Sequence, residues 1–401
     1  MNFMIEGSYG NINFTSDKGT RFIEIPMQSA IIFYKQIALR YPEIALNEVG
    51  LFQLGSVGRN NKVRFASLKT PKHILQPRQN GCTWKSKGKI TIDITKVNLC
   101  AVEYMGEQCP DAFWGDCLEY IFDTGRAIHD LFKTKEGQDL MISLLKEIYI
   151  GLGNSFYELA WFGQHPLIDD AETNEWYKVD RTEWVDYIDQ QQTCAGWITL
   201  VDAIKEEGTR PSFNIDIPVN QVSGKKYIGS AIALLDTVFS AAPPALEGIL
   251  DSNDMNSEPI VLLSEGIFDR FVEEITTKFN TVPETFYYYV NGSATADGKK
   301  LLRNVFRYKG YVLVKTNAFK AFDAITGTIT HRVIMTPPSN FGLAYDIPEL
   351  EQYNGMGVVV TQQLAAPFKG KVYMDTAFKM GTALIDIDSM ANASLTLTPQ
   401  I

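Results

Sequence analysis

Carboxylate and aromatic side chains alternate between His165 and Gln190, and no other part of the chain holds so many residues capable of chemistry. Paired carboxylates on an aromatic platform are typical of carbohydrate-active sites. The same residue types anchor an interface with a basic partner. Both interpretations stay open, and the interface is favoured because the chain also carries a basic segment. The candidate residues are Asp169, Asp170, Glu172, Trp176, Asp180, Glu183 and Trp184.

Other catalytic or metal-binding patterns are incomplete. The four histidines, His73, His129, His165 and His331, form no HxxxH or HxH pair, so we expect no metal site. The five cysteines include no CxxC and predict reduced thiols. The glycine-rich run 292–300 has the wrong spacing for a phosphate-binding loop, and the acidic run 251–258 lacks the pattern of a helix-loop-helix calcium site. We therefore predict no cofactor and no enzymatic activity.

Composition predicts a protein with a sizeable core. The chain has 401 residues, 45% hydrophobic and 12% aromatic, which suits two domains or one elaborated domain. Its formal net charge is −10. The N-terminus shows no signal-peptide pattern, and no apolar stretch approaches the ~18 residues that span a bilayer. A soluble protein made inside a cell is expected.

A basic segment interrupts this acidic chain between Arg59 and Lys96. It holds ten lysines and arginines against the single acid Asp93. Period-two alternation from Lys89 to Thr95 predicts the return strand of a long hairpin, and the change of phase at Lys96 and Val97 predicts a bulge. Isolated hairpins are marginal in water, so the arm must lie on an acidic surface, unless it is a solvated loop of one globule. That surface is nucleic acid or another protein, which includes a second copy of this chain. Its candidate contact residues are Arg59, Lys62, Arg64, Lys69, Lys72, Arg78, Lys85, Lys87 and Lys89.

Helical and strand patterns are mixed along the rest of the chain. An apolar stripe predicts a long helix over 138–162, and shorter helices are predicted at 228–240 and after Ser264, which would cap the second. Strands are predicted at 259–263, 311–314, 332–335, 356–360, 371–374 and 383–386. Because no regular βαβ alternation appears, the predicted class is α+β.

The stretch from Thr330 to Ile347 predicts a strand that is cut by Pro337 and Pro338 and followed by a Ser-Asn-Phe-Gly turn. A strand end of this kind often positions a catalytic group, but none is present. We therefore expect its role to be geometric.

Together these segments resemble the major capsid proteins of tailed bacteriophages, which have the Hong Kong 97-type fold. The basic hairpin matches the extended loop of that family, the helix 138–162 its spine helix, and 228–279 its axial domain. The implied division is an N-terminal arm at 1–58, an extended basic hairpin at 59–102 and a peripheral domain at 103–190. An axial domain follows at 191–330, and 331–401 returns to the peripheral sheet.

The resemblance implies a structural protein that assembles with itself, as hexamers and pentamers, into an icosahedral or prolate head shell around the phage genome. It implies a virion location, assembly in the host bacterial cytoplasm, and portal, scaffolding and decoration proteins as partners. Packaged double-stranded DNA would lie at the inner face without sequence specificity, and no membrane is involved. With about 58 residues before the hairpin, we expect scaffolding to be a separate protein. A nanocompartment shell around an enzyme cargo is the alternative within the same architecture, and a polysaccharide-active enzyme using carboxylates near Trp176 and Trp184 is the alternative from another class.

Overall fold

The computed structural model describes most of the second half of the chain and parts of the first. The described residues are 2–4, 11–17, 20–24, 46, 48–56, 62–69, 91–108, 151, 155–163, 165, 195–244, 246, 258–291, 299–346, 359–363 and 372–397.

Five helices of eight or more residues lie in the described part of the chain. The first, α1, comprises 155–162, and Gly151 is also helical, so the described part agrees with the end of the helix predicted at 138–162. The others are α2 (Trp197–Glu207), α3 (Ala231–Ser240), α4 (Glu265–Phe279) and α5 (Asn317–Thr326). Among the described helices, none is long and apolar enough to cross a membrane.

The first sheet is built from eight described strands. They are β1 (Asn2–Met4), β2 (Asn11–Asp17), β3 (Thr20–Glu24), β4 (Phe52–Ser56), β7 (Cys100–Gln108), β16 (Phe341–Asp346), β17 (Val359–Gln363) and β18 (Val372–Leu384). Their order is β1-β2-β3-β17-β18-β16-β4, with β7 paired to β18. The long strand β18 forms antiparallel pairs with β7, β16 and β17, whereas β4 runs parallel to β16.

The second sheet is built from seven described strands. They are β8 (Ile215–Asp216), β11 (Ile260–Leu263), β12 (Tyr287–Asn291), β13 (Lys299–Tyr308), β14 (Tyr311–Lys315), β15 (Ile329–Thr336) and β19 (Ala391–Leu397). Their order is β12-β13-β14-β11-β15-β19-β8. The sheet is mixed, since β11 with β14 and β19 with β8 are parallel and the other described pairs are antiparallel.

Two further described pairs lie outside both sheets. One joins β5 (Lys62–Lys69) to β6 (Thr91–Asn98), and the other joins β9 (Val222–Ser223) to β10 (Lys226–Tyr227). The pair of β5 and β6 forms the base of the basic hairpin expected from the sequence.

The central strand β11 shows why the second sheet is covered on both faces. All four of its residues are fully buried. Ile260 and Leu262 belong to a core that includes α1 and α2, whereas Val261 and Leu263 belong to a core formed with α3 and α4. Alternate side chains of a strand point to opposite faces, so a continuous apolar run is what a two-sided burial requires.

Most predicted elements are found close to their expected positions, and the α+β class is confirmed. The helix predicted at 228–240 begins at Ala231, because Ser230 accepts a hydrogen bond from the Ala233 N–H and so caps it. Ser264 occupies the N-cap position of α4, but its hydroxyl accepts the Arg332 N–H instead of capping the helix. Phe279, counted in the apolar stripe of α4, is exposed at the end of the helix.

Both ends of the described chain contribute strands to the sheets. Strands β15 and β19 pair with each other in the seven-stranded sheet, whereas the intervening β16, β17 and β18 lie in the eight-stranded sheet. The range 331–401 therefore contributes to both sheets. In the range 1–58, the strands β1 to β4 also lie in the eight-stranded sheet.

Candidate assembly surface

The base of the basic hairpin is described as β5 and β6. The two strands pair antiparallel without interruption, from Lys62 opposite Asn98 to Lys69 opposite Thr91. The bulge predicted at Lys96 and Val97 is therefore absent from this pairing. The change of phase in the sequence has another cause. Along the hairpin, the apolar side chains move from one face to the other.

The inner face of the hairpin base packs onto the eight-stranded sheet. Val63, Phe65 and Val97 are buried there in one cluster with side chains of β16 and of the end of β18. The Phe65 ring lies over two glycines, since a Cβ built on Gly342 would be 2.8 Å from its Cε2 atom and one on Gly55 would be 3.1 Å from its Cε1 atom. The Gly342 contact is shorter than those real Cβ atoms make, and a Cβ on Gly55 would also be 2.5 Å from Val63 Cγ1, so the two glycines leave room for Phe65 and Val63.

A hydrogen bond adds to this attachment. Thr95, on the inner face of β6, donates its hydroxyl to the Ile385 carbonyl oxygen at 3.2 Å. The hairpin is thus held by both apolar packing and a polar contact with the body of the same chain.

The outer face of the same hairpin is solvent-exposed and partly apolar. Ile92 is 58% exposed and Ile94 is 50% exposed. Arg64 and Lys96, also exposed, lie directly opposite each other on this face. Like charges in opposed positions of an antiparallel pair are mutually destabilising, and an anionic partner removes that cost.

The structure describes only part of the predicted contact set. Arg64 has a described, exposed side chain, and Lys62 and Lys69 are described as strand positions in β5. The other basic candidates, Arg59, Lys72, Arg78, Lys85, Lys87 and Lys89, lie outside the described residues. The whole acidic and aromatic set, Asp169, Asp170, Glu172, Trp176, Asp180, Glu183 and Trp184, lies outside them as well.

Beneath this surface, helix α2 connects the two sheets through side-chain hydrogen bonds. At its N-terminal end, the Trp197 indole N–H donates to the Gly342 carbonyl oxygen of β16 at 3.1 Å. At its C-terminal end, the Lys205 ammonium donates to the carbonyl and hydroxyl oxygens of Ser394 in β19, at 3.1 and 3.0 Å. The helix therefore fixes the orientation of the sheet that carries the hairpin.

A buried charge network is centred on Asp202, in the middle of α2. The Arg332 guanidinium, from β15, is only 2% exposed and donates from Nη2 to Asp202 Oδ2 at 2.7 Å. His165, just beyond α1, places Nε2 at 3.1 Å from the same oxygen. Burial alone would raise the pKa of Asp202, but the charge of Arg332 and the hydrogen bonds from both neighbours lower it to about 2. Burial lowers the pKa of His165, and Asp202 opposes that shift.

The turn between β15 and β16 contains a second polar network. The side chain of buried Asn340 donates to Thr336 Oγ1 at 2.9 Å and to the Asp386 carbonyl oxygen at 3.2 Å, and it accepts the Asp386 N–H at 2.6 Å. Ser339 has a φ of 56° and donates its N–H to the Gly50 carbonyl oxygen. The turn thus joins one sheet to the other, which is a geometric role.

The described part of the chain contains no group of three histidine, cysteine, aspartate or glutamate side chains that could hold a metal ion. His165 and His331 are both buried and bind separate partners, Asp202 and the Gly224 carbonyl oxygen.

Sequence reasoning missed two features. The network of Asp202 and Arg332 has no sequence signal, because its residues are 130 positions apart. The second is a basic run between Lys299 and Phe322 that contains no acid and is readable directly in the sequence.

Comparison with known proteins gives structural likeness only. No family model matches the chain, and no curated protein matches it. The chain is similar to a chain of the satellite phage P4 procapsid, at 9% identity, 85% coverage of this chain, 84% coverage of that chain and a TM-score of 0.45. It is also similar to the capsid of Ralstonia phage GP4, at 9% identity, 88% coverage of both chains and a TM-score of 0.43. A third similar structure is the cyanophage Pam1 capsid, at 9% identity, 87% and 89% coverage and a TM-score of 0.42. All three are capsid or procapsid structures.

Proposed function

We propose that the chain is a structural protein, the major capsid protein of a tailed phage, and that its basic hairpin binds a neighbouring copy in the head shell. The observation that carries the proposal is the change of apolar face along the hairpin. Val63, Phe65 and Val97 at the base face the body of their own chain, whereas Ile92 and Ile94 face outward.

Isoleucine on an exposed strand face lowers the free energy of association when a partner covers it. Full burial of such a side chain stabilises by about 1.5–3 kcal/mol, and Ile92 and Ile94 still have about half of their surface to bury. Two such residues per copy, repeated around a ring of copies, supply an apolar centre for the contact.

Charge selects the partner surface. The exposed pair of Arg64 and Lys96 has no ion pair among the described residues, and the segment from 59 to 96 carries nine net positive charges in a chain of net charge −10. Opposite charges at an interface set register and partner choice more than affinity. The acidic set from Asp169 to Trp184, on a neighbouring copy, is the complementary surface that we propose.

On this proposal the copies form hexamers and pentamers of an icosahedral or prolate shell that encloses double-stranded DNA in the virion. Assembly takes place in the host bacterial cytoplasm, with portal, scaffolding and decoration proteins as further partners. The residues 59–102 act as the extended hairpin, and the eight-stranded sheet acts as the peripheral domain.

The experiment replaces Ile92 and Ile94 together with aspartate. Both side chains are exposed, so the folded chain should retain its stability, while the two carboxylates prevent burial of the outer face. Size-exclusion chromatography and negative-stain microscopy should show closed particles for the wild type and unassembled chains for the double variant. Replacement of Val219 by aspartate is the matched control, because Val219 is 61% exposed and lies outside the hairpin.

Normal particles from the double variant would contradict the proposed role of the hairpin. A wild-type chain that remains monomeric would contradict the shell function itself. The contents of purified particles separate the two shell types, since DNA indicates a phage head and a folded protein cargo indicates a nanocompartment.

A further inference from the structure

The parallel strands β11 and β14, at the centre of the seven-stranded sheet, lead to helices on opposite faces of that sheet. β11 is followed by α4, whose buried side chains belong to the core on one face. β14 is followed by α5, whose buried Phe319 and Phe322 belong to the core on the other face. The carboxyl ends of the two strands are adjacent, since Leu263 lies opposite Lys315. Ligands commonly bind outside the carboxyl ends of parallel strands whose connections diverge in this way.

A cavity of about 160 Å³ lies at this end of the sheet. Its lining comes from the first turn of α4, from α5, from the start of β15 and from the turn between β9 and β10. About 10–15 Å³ is enough for one water molecule, so the cavity has room for a small organic molecule.

Two oxygens in the lining need a hydrogen-bond donor. Burial raises the pKa of Asp323, and the nearby hydroxyl and N–H of Thr330 oppose that shift. Even so, neither Asp323 Oδ1 nor Thr330 Oγ1 forms a hydrogen bond of normal geometry among the described residues, although both atoms are buried and Thr330 is only 4% exposed. A buried acceptor without a donor costs free energy. An ammonium group brings three donors and the positive charge that stabilises the Asp323 carboxylate.

Another part of the lining attracts an anion. The N–H groups of Glu265 and Gly266 have no acceptor among the described residues, because the Ser264 hydroxyl accepts a backbone N–H of β15 instead of capping α4. The Glu265 carboxylate is neutralised by Lys315 at 2.8 Å. Lys225 is exposed and has no ion-pair partner in the described part of the chain. A helix N-terminus beside a lysine suits a carboxylate.

Gly266 keeps the two parts of this anion-binding wall together. A Cβ at this position would collide with the Lys225 carbonyl oxygen, so only glycine lets the turn between β9 and β10 lie this close to the start of α4.

We propose that the cavity binds a small zwitterion of the amino-acid class, with its ammonium group at Asp323 and Thr330 and its carboxylate at the first turn of α4 and Lys225. The proposal does not depend on the shell function, since it rests on the cavity and on the two kinds of wall that line it.

The test measures the melting temperature of the full chain as the concentration of a probe is raised, because a ligand that binds the folded state stabilises it by mass action. The probes are L-alanine, which carries both charged groups, ethylamine, which carries only the ammonium group, and propionate, which carries only the carboxylate. L-alanine should raise the melting temperature of the wild type at lower concentration than either single-group probe does.

Three variants locate the effect, each compared with its own melting temperature without a probe. Asp323→Asn should weaken the apparent affinity for L-alanine about tenfold to hundredfold, and Thr330→Val about twofold to tenfold. The matched control Asp216→Asn removes an exposed carboxylate of β8 outside the cavity and should bind L-alanine as the wild type does. If Asp323→Asn does not fold, Thr330→Val decides the test.

The proposal is supported if L-alanine outperforms both single-group probes and the cavity variants alone lose affinity. It is overturned if L-alanine does not raise the melting temperature of the wild type, because the cavity then holds water only. A single-group probe as effective as L-alanine also overturns it, since one of the two walls then contributes nothing. An equal response of the wild type and all variants overturns it as well, because that result is a general solute effect.

Discussion

Replacement of Asp202 by asparagine should destabilise the junction of the two sheets by about 3–5 kcal/mol, the range for a broken buried ion pair. The asparagine side chain has the shape of aspartate and retains an oxygen that can accept one hydrogen bond. It has no charge, however, and the Arg332 guanidinium stays 2% exposed, with Nε and Nη1 lacking a partner among the described residues. Among the described residues, that guanidinium then lies buried without an ion-pair partner. Since folded proteins are stable by about 5–15 kcal/mol, the loss is a large fraction of the total.

Urea unfolding followed by tryptophan fluorescence is a suitable assay, because Trp161 and Trp197 are buried in the core next to the network. The control is Asp236→Asn, which removes a carboxylate from an exposed pair with Lys309 and should cost less than about 1 kcal/mol. A second variant, Asp202→Asn with Arg332→Met, should regain part of the lost stability, because it removes the buried charge.

An equal, small loss of unfolding free energy in Asp202→Asn and Asp236→Asn would contradict a strongly stabilising buried ion pair. Further destabilisation of Asp202→Asn by the added Arg332→Met change would also contradict it, since the guanidinium would then contribute through contacts other than its charge.

Three further outcomes are expected. Phe65→Ala should remove about 3–4 kcal/mol of packing at the hairpin base and speed proteolytic cleavage within 59–96 relative to wild type; an unchanged cleavage rate would count against it. Asn340→Ala should cost about 2–4 kcal/mol in urea unfolding because it leaves buried polar groups unpaired, whereas the neighbouring Ser339→Ala should stay within about 0.5 kcal/mol. Stability should fall with acid, because the folded-state pKa values of His165 and Asp202 are both lowered. The stability due to His165 is lost as the pH falls below about 6.5. The stability due to Asp202, about 2 kcal/mol, is lost between about pH 4 and 2. Thermal melting across this pH range checks it, and the loss between about pH 4 and 2 should be smaller in Asp202→Asn than in the wild type.

Periodicity identified the elements whose apolar pattern is complete within the segment. The run Ile260 to Leu263 predicted a buried strand, and the stripe after Ser264 predicted α4, because both patterns reflect burial of neighbouring positions. The exposed end of α4 at Phe279 was not predicted, since the stripe continues beyond the surface that covers it. The hairpin was located by its charge, but the change of phase was assigned to a bulge instead of to a change of apolar face.

Local residue patterns were enough to predict the α+β class, the position of the basic hairpin and the strand end before Pro337, because each depends on residues near one another along the chain. Three other features follow from tertiary packing alone: β19 pairs with β15, Phe65 lies over Gly55 and Gly342, and Asp202 binds Arg332. These contacts join residues that are distant in sequence, so their free energy depends on how whole sheets and helices pack. Local periodicity therefore does not predict them.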